Sequence, residues 1–162
     1  EVVGNERITG IKYAKIDEIP NGATIAIPND PTNEGRALLL LQSAGLIKLN
    51  PDAGLTAVPQ DIVENAKKLK FTELEAASLP RILQDVDAAV INGNYALPAG
   101  LNASKDGLFI EGADSPYVNI LCVKDGNQNA EKIQALANAL KSQKVKDYIN
   151  NTYKNGEVVT VF

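Results

Sequence analysis

Two short apolar runs, each cut off by chain-breaking residues, constrain this sequence more than anything else in it. Ala23 to Ile27 (ATIAI) is entered through Asn21-Gly22 and stopped by Pro28, and Asp87 to Ile91 (DAAVI) ends abruptly in the turn cluster Asn92-Gly93-Asn94. Runs of this length, bounded in this way, read as buried strands. A helix is predicted directly after the first run, with Thr32 as N-cap, Glu34 in the first turn, Leu38 to Leu41 along it and Gly45 at the C′ position. Lys70 to Glu75 alternates as a strand does, and Leu79 to Leu83 reads as a short helix with a proline at its beginning. Leu108 to Ile110 and Val118 to Val123 give two more strands on either side of the turn-prone segment Glu111 to Pro116. Ile133, Leu136, Ala137 and Leu140 fall at helical spacing. Val145, Ile149 and Tyr153 sketch a second helix that Asn155-Gly156 ends, and Val158 to Phe162 reads as extended. Strands alternating with helices predict an α/β fold with an at least partly parallel sheet.

Composition removes several function classes. With 162 residues, 44% of them hydrophobic, the chain can bury a substantial core, and its net charge of -4 argues against a nucleic-acid partner. The lysines at Lys67, Lys68 and Lys70, and at Lys141, Lys144 and Lys146, lie in amphipathic contexts and read as solvated faces. There is no histidine and one cysteine. A Ser-His-Asp or Cys-His nucleophile system, a Cys/His zinc site and an internal disulfide are therefore all excluded. Cys122 follows Ile120 and Leu121 in an apolar run, where a thiol is expected to behave as a small buried hydrophobe. No glycine-rich phosphate loop is present, and carboxylate pairs such as Glu73 with Glu75 or Asp85 with Asp87 are explained by surface solubility. No constellation for an enzyme emerges, and no cofactor or metal is implied.

One constellation does carry information. Ile27 to Arg36 (IPNDPTNEGR) joins the carboxyl end of a strand to the amino end of a helix, which is where ligands of open α/β sheets bind. Helix-start N–H groups favour an anion there, and Arg36 adds a planar fork suited to a carboxylate. Asn33 precedes Arg36 by one turn, so both side chains can face one point. Asn92 closes another strand at the same edge of the sheet. Asn119 sits in the apolar run Tyr117 to Leu121, where an unpaired buried amide would cost on the order of 1 to 3 kcal/mol. The local chemistry leaves two readings open: surface and structural roles for these four side chains, or polar contacts to a zwitterion such as a free amino acid.

The strings IPNDPTNEGRALLLLQSAGLIKL (Ile27 to Leu49), AAVINGNYALPAGL (Ala88 to Leu101) and DSPYVNIL (Asp114 to Leu121) resemble the NlpA-type methionine-binding lipoprotein family, in order, from about Ile16 to Phe162. The resemblance implies a type II periplasmic-binding-protein fold, of which this chain would supply one three-layer α/β lobe with a mostly parallel sheet. The first lobe would be largely missing. It implies a non-catalytic, substrate-binding component of an ABC importer, which binds methionine or a related amino acid and docks on a membrane permease. By the same resemblance Arg36 would hold the ligand carboxylate, with Asn33, Asn92 and Asn119 contributing polar contacts. The protein would be anchored by lipid in the cell envelope, at the periplasm or the outer face of the cytoplasmic membrane.

This chain departs from the family pattern at its start, where neither a signal nor a lipid-bearing cysteine is found. Glu1 to Lys15 reads as a shortened hinge-like segment, residues 16–112 as the ligand-binding lobe, and 113–162 as a crossover strand and C-terminal helices that would pack on the missing lobe. Truncation is expected to weaken affinity. The alternative is a scaffold module with a vestigial pocket, forming a homodimer through those exposed helices, by domain swapping if they exchange.

Overall fold

The computed structural model describes residues 2–4, 6–112, 115–154 and 156–162; Ala113, Asp114 and Asn155, read as turn residues from the sequence, lie outside these. In chain order the strands are β1 (Val2–Gly4), β2 (Arg7–Thr9), β3 (Thr24–Pro28), β4 (Lys48–Leu49), β5 (Ile62–Glu64), β6 (Lys70–Leu74), β7 (Ala88–Ile91), β8 (Gly107–Ile110) and β9 (Val158–Thr160). The α-helices are α1 (Pro31–Ser43), α2 (Gly93–Ala96), α3 (Ala103–Asp106), α4 (Glu131–Leu140) and α5 (Gln143–Thr152). They form two compact units, Glu6–Glu111 and Glu1–Asn5 with Gly112–Phe162.

In the Glu6–Glu111 unit the two apolar runs become adjacent central strands of a five-stranded sheet ordered β6-β3-β7-β2-β8. β3 pairs in parallel with β6 and β7, while β2 pairs antiparallel with β7 and β8, so four of the five strands run the same way. The sheet is therefore mostly parallel in direction, as expected. Alternation along the strands sorts the core into two layers. Ile25, Ile27, Ala88 and Val90 pack with Leu38 and Leu41 of α1 on one face, and Ala26, Ala89 and Ile91 pack with Leu79, Leu83 and Ala96 on the other. Each fully buried Leu or Ile contributes roughly 1.5 to 3 kcal/mol over leaving it in water. The segment read as hinge-like supplies β2, which lies inside the sheet.

Local chemistry places several boundaries differently from the sequence reading. Asp30, not Thr32, caps α1: its backbone is extended and its carboxylate accepts from the Asn33 amide N–H at 3.1 Å, with Pro31 opening the helix. Proline suits that first position because its missing N–H would have no helical partner, and Thr32 is then already helical. Replacing Asp30 by alanine is expected to cost about 1 kcal/mol in urea denaturation, and a loss below about 0.3 kcal/mol would show the cap to be idle. At the other end Gly45 follows the helix with φ 74°, in the left-handed region that favours glycine. The proline-containing helix is a 3-10 segment, Ala76–Ile82, with Pro80 inside it. Asn92-Gly93-Asn94 is no simple turn, because α2 begins at Gly93 with Asn92 at its N-cap position.

In the other unit β1 pairs antiparallel with β9, Val2 opposite Thr160 and Gly4 opposite Val158. α4 and α5 form as their spacing predicts, and Ser142 caps α5 by accepting from the Val145 N–H. The strand expected over Val118 to Val123 is absent: the segment carries only an isolated bridge at Asn119. Ile120 and Leu121 are 65% and 44% exposed, and Cys122 is exposed too, against the expectation of a buried thiol. An apolar run becomes a strand only where a neighbouring strand takes up its backbone hydrogen bonds. Asn119, Ile120 and Leu121 instead line a groove of about 510 Å³ with Ile133, Leu140 and Phe162.

Candidate functional site

Strand register assembles the site. Arg7 of β2 lies opposite both Ile91 of β7 and Ile110 of β8, and Ala26 of β3 lies opposite Ala89 of β7. The carboxyl ends of β3, β7 and β8 therefore share one edge of the sheet. Asp30 and α1 leave from β3, Asn92 from β7 and Glu111 from β8, and the antiparallel β2 brings Glu6 in at the same edge.

These residues form one continuous polar network. Asn33 Nδ2 donates to both Asp30 carboxylate oxygens, at 3.0 and 2.9 Å, which turns its Oδ1 toward Asn92. Asn92 Nδ2 donates to Asn33 Oδ1 at 2.8 Å and to Glu6 Oε1 at 2.7 Å. Two acceptors on one nitrogen fix the amide orientation, since a flipped amide would set oxygen against oxygen. Arg36 Nε donates to Glu111 Oε1 and Oε2, each at 3.1 Å, and Nη2 donates to Oε2 at 2.5 Å. Glu111 Oε2 also accepts from the Glu6 backbone N–H at 3.1 Å, and the Glu111 N–H donates to the Glu6 carbonyl at 3.0 Å. The Arg36 and Glu111 side chains are 12% and 11% exposed, so the ion pair is well desolvated. Such a pairing is strong electrostatically and costly to leave half made.

Two acceptors in the network have no hydrogen-bond partner among the described residues: Asn92 Oδ1 and Glu6 Oε2, both buried. Arg36 Nε lies 3.9 Å from Glu6 Oε2. Burial is the main reason the Glu6 carboxyl is pushed up to about 8; Arg36 opposes that rise, while the Glu111 and Asp30 carboxylates reinforce it. Glu34, in the first turn of α1, is raised to about 7, first by burial and then by Glu73 beside it. Among the described residues no three side chains gather as metal ligands.

Comparison with known proteins adds the family. A sequence profile described as NlpA lipoprotein matches residues 3–162. The chain belongs to the NlpA lipoprotein family. Its relatives within that family include a probable D-methionine-binding lipoprotein MetQ of Vibrio cholerae, 48% identical over 97% of this chain and 60% of the relative. The D-methionine-binding lipoprotein MetQ of Escherichia coli is 46% identical over 91% of this chain and 55% of its own length. Among solved structures, a nutrient-binding protein of Burkholderia cenocepacia bound to methionine is 44% identical with a TM-score of 0.90, covering 99% of this chain and 68% of that one. Lipoprotein Tp32 of Treponema pallidum gives a TM-score of 0.89 at 44% identity, covering 98% of this chain and 66% of that one. The chain thus spans 55 to 60% of the length of those two MetQ relatives.

Of the four residues singled out from the sequence of this NlpA-family chain, Asn33, Arg36 and Asn92 come together in the Glu6–Glu111 unit. Asn119 belongs to the other unit and is exposed there, so the burial expected of it does not hold. Glu6 and Glu111 were not singled out. For Glu111 a signal existed: it is the first polar residue after the apolar strand Leu108 to Ile110, the position that identified Asn92. Glu6 gave none, because its place depends on β2 entering the sheet.

Proposed function

We propose that this chain is the ligand-holding part of a substrate-binding protein for an ABC importer, with a free amino acid of the methionine class as ligand and no catalytic activity. The observation that carries the reading is the Arg36–Glu111 pair beside the Asn33 and Asn92 amides at the carboxyl edge of the sheet. A guanidinium and a carboxylate side by side match the two charged groups of a zwitterion. The ligand carboxylate shares Arg36, its ammonium engages Glu111, and the unmet acceptor of Asn92 takes a further ammonium hydrogen. The methionine-bound neighbour and the MetQ relatives support methionine over other amino acids.

The same reading gives the whole protein a lipid anchor in the cell envelope and a membrane permease as partner. The relatives' additional length then covers the apolar face of α4, where Leu136 and Leu140 are 45% and 47% exposed. That exposure also favours a second reading, a scaffold that pairs with its own copy through these helices. Calorimetry with L- and D-methionine on this chain and on a version extended to the relatives' full length separates the two. Micromolar or tighter binding by the extended version, tenfold or more weaker in the short chain, is the expected outcome. An extended version that binds neither enantiomer would overturn the transport reading, and a short chain that is dimeric by light scattering would favour the scaffold.

A further inference from the structure

We propose that Glu6 is a positioning residue for this site whose proton decides how the site is set: as the neutral acid it leaves Arg36 to Glu111, and as the carboxylate it competes for Arg36. The geometry holds both arrangements ready. One Glu6 oxygen is committed to Asn92 at 2.7 Å, whereas the other lies 3.9 Å from Arg36 Nε, outside hydrogen-bond reach. Glu111, tied to the Glu6 backbone on both sides, holds the guanidinium instead.

The charge count points the same way. Facing Glu6 are Arg36 from α1, Asp30 from the cap of that helix, Glu111 after β8 and the neutral Asn92 after β7. Arg7, the next residue along β2, alternates to the opposite face. One guanidinium thus confronts three carboxyl groups, and the one with no solvent exposure is Glu6. Like charges this close favour a proton on one of them, and burial selects which. Ionised Glu6 gains most by drawing the Arg36 fork toward Oε2, which loosens the Glu111 pair and turns the guanidinium away from an incoming carboxylate.

The first test needs no ligand. Carboxyl-carbon NMR of glutamate-labelled chain should show a resonance with a midpoint near 8 that is missing in Glu6→Gln; burial pushes Glu34 up as well, so it is the signal lost in the variant that makes the assignment. The Asn92 side-chain amide resonances should move with that same midpoint in the wild type and stay still in Glu6→Gln. A Glu6 midpoint in the ordinary carboxylate range, or Asn92 signals indifferent to it, overturns the proposal. Linkage gives a second readout: a folded-state value above the unfolded one means stability that is complete below about pH 4.5 is lost as pH rises through about 8. The melting midpoint should fall over that window, and less in Glu6→Gln.

A binding arm rests on the function proposed above. Methionine affinity of the extended protein should weaken roughly fourfold from pH 6.5 to pH 8.5, the change expected if only the protonated form binds. In Glu6→Gln it should stay within about 1.5-fold over the same range. A flat wild-type profile overturns the positioning role. Absence of methionine binding at every pH, with the NMR titration as expected, counts against the function and leaves the Glu6 inference standing.

Discussion

Replacing Arg36 by methionine is expected to destabilise the fold by about 3 to 5 kcal/mol and to reduce methionine affinity at least a hundredfold. The first figure follows from what is left behind: Glu111 at 11% exposure loses its hydrogen bonds from Arg36 Nε and Nη2, and Glu6 loses the Arg36 guanidinium that lies 3.9 Å from its Oε2. Removing one partner of a buried pair costs far more than removing both. The double variant Arg36→Met with Glu111→Gln should therefore recover much of the lost stability, although not the binding. Arg36→Lys keeps the charge but not the planar fork, and should fall between. Urea denaturation at pH 7 reads stability and calorimetry reads binding. A single variant within about 1 kcal/mol of the wild type would show that the pair is held by water and not by the fold.

Gly35→Ala should destabilise by about 3 kcal/mol, although alanine in a helix interior ordinarily gains up to 1 kcal/mol over glycine. The sign reverses because of what the methyl group meets. A Cβ at Gly35 would collide with the Leu55 carbonyl oxygen, lie 2.9 Å from its carbon and 3.2 Å from the Ala57 nitrogen. These are backbone atoms, so no rotamer change can yield, and α1 must lift off the Pro51–Thr56 turn. Because Arg36 is the next residue, the lift also spoils the Glu111 geometry, and affinity should fall with stability. A variant as stable as the wild type would mean that the turn moves freely.

How much of this was legible in the sequence follows from how local each signal is. The runs ATIAI and DAAVI announce β3 and β7 because both faces of these strands are buried, so that after Thr24 and Asp87 at their starts the residues up to Ile27 and Ile91 are all apolar. The cap of α1 was misplaced because Thr32 and Asp30 are both good caps; Pro31 between them decides, since it belongs just inside a helix. Val118 to Val123 reads as a strand on apolarity alone, yet hydrophobic content says nothing of whether a neighbour is present to pair with. Asn33, Arg36 and Asn92 were found because strand ends and helix starts carry local marks. Glu6 was not, because no feature within ten residues of it indicates that the chain returns to that edge a hundred residues later.

The position of β2 bears on the order in which the molecule can assemble. Its partners Val90 and Phe109 lie roughly 80 and 100 residues further along from Ile8, and β8 joins the sheet only through β2. A nascent chain emerging from the ribosome therefore carries this strand, in which Arg7 and Thr9 flank Ile8, unpaired long before either neighbour is synthesised, and must keep its backbone edges from pairing elsewhere in the meantime.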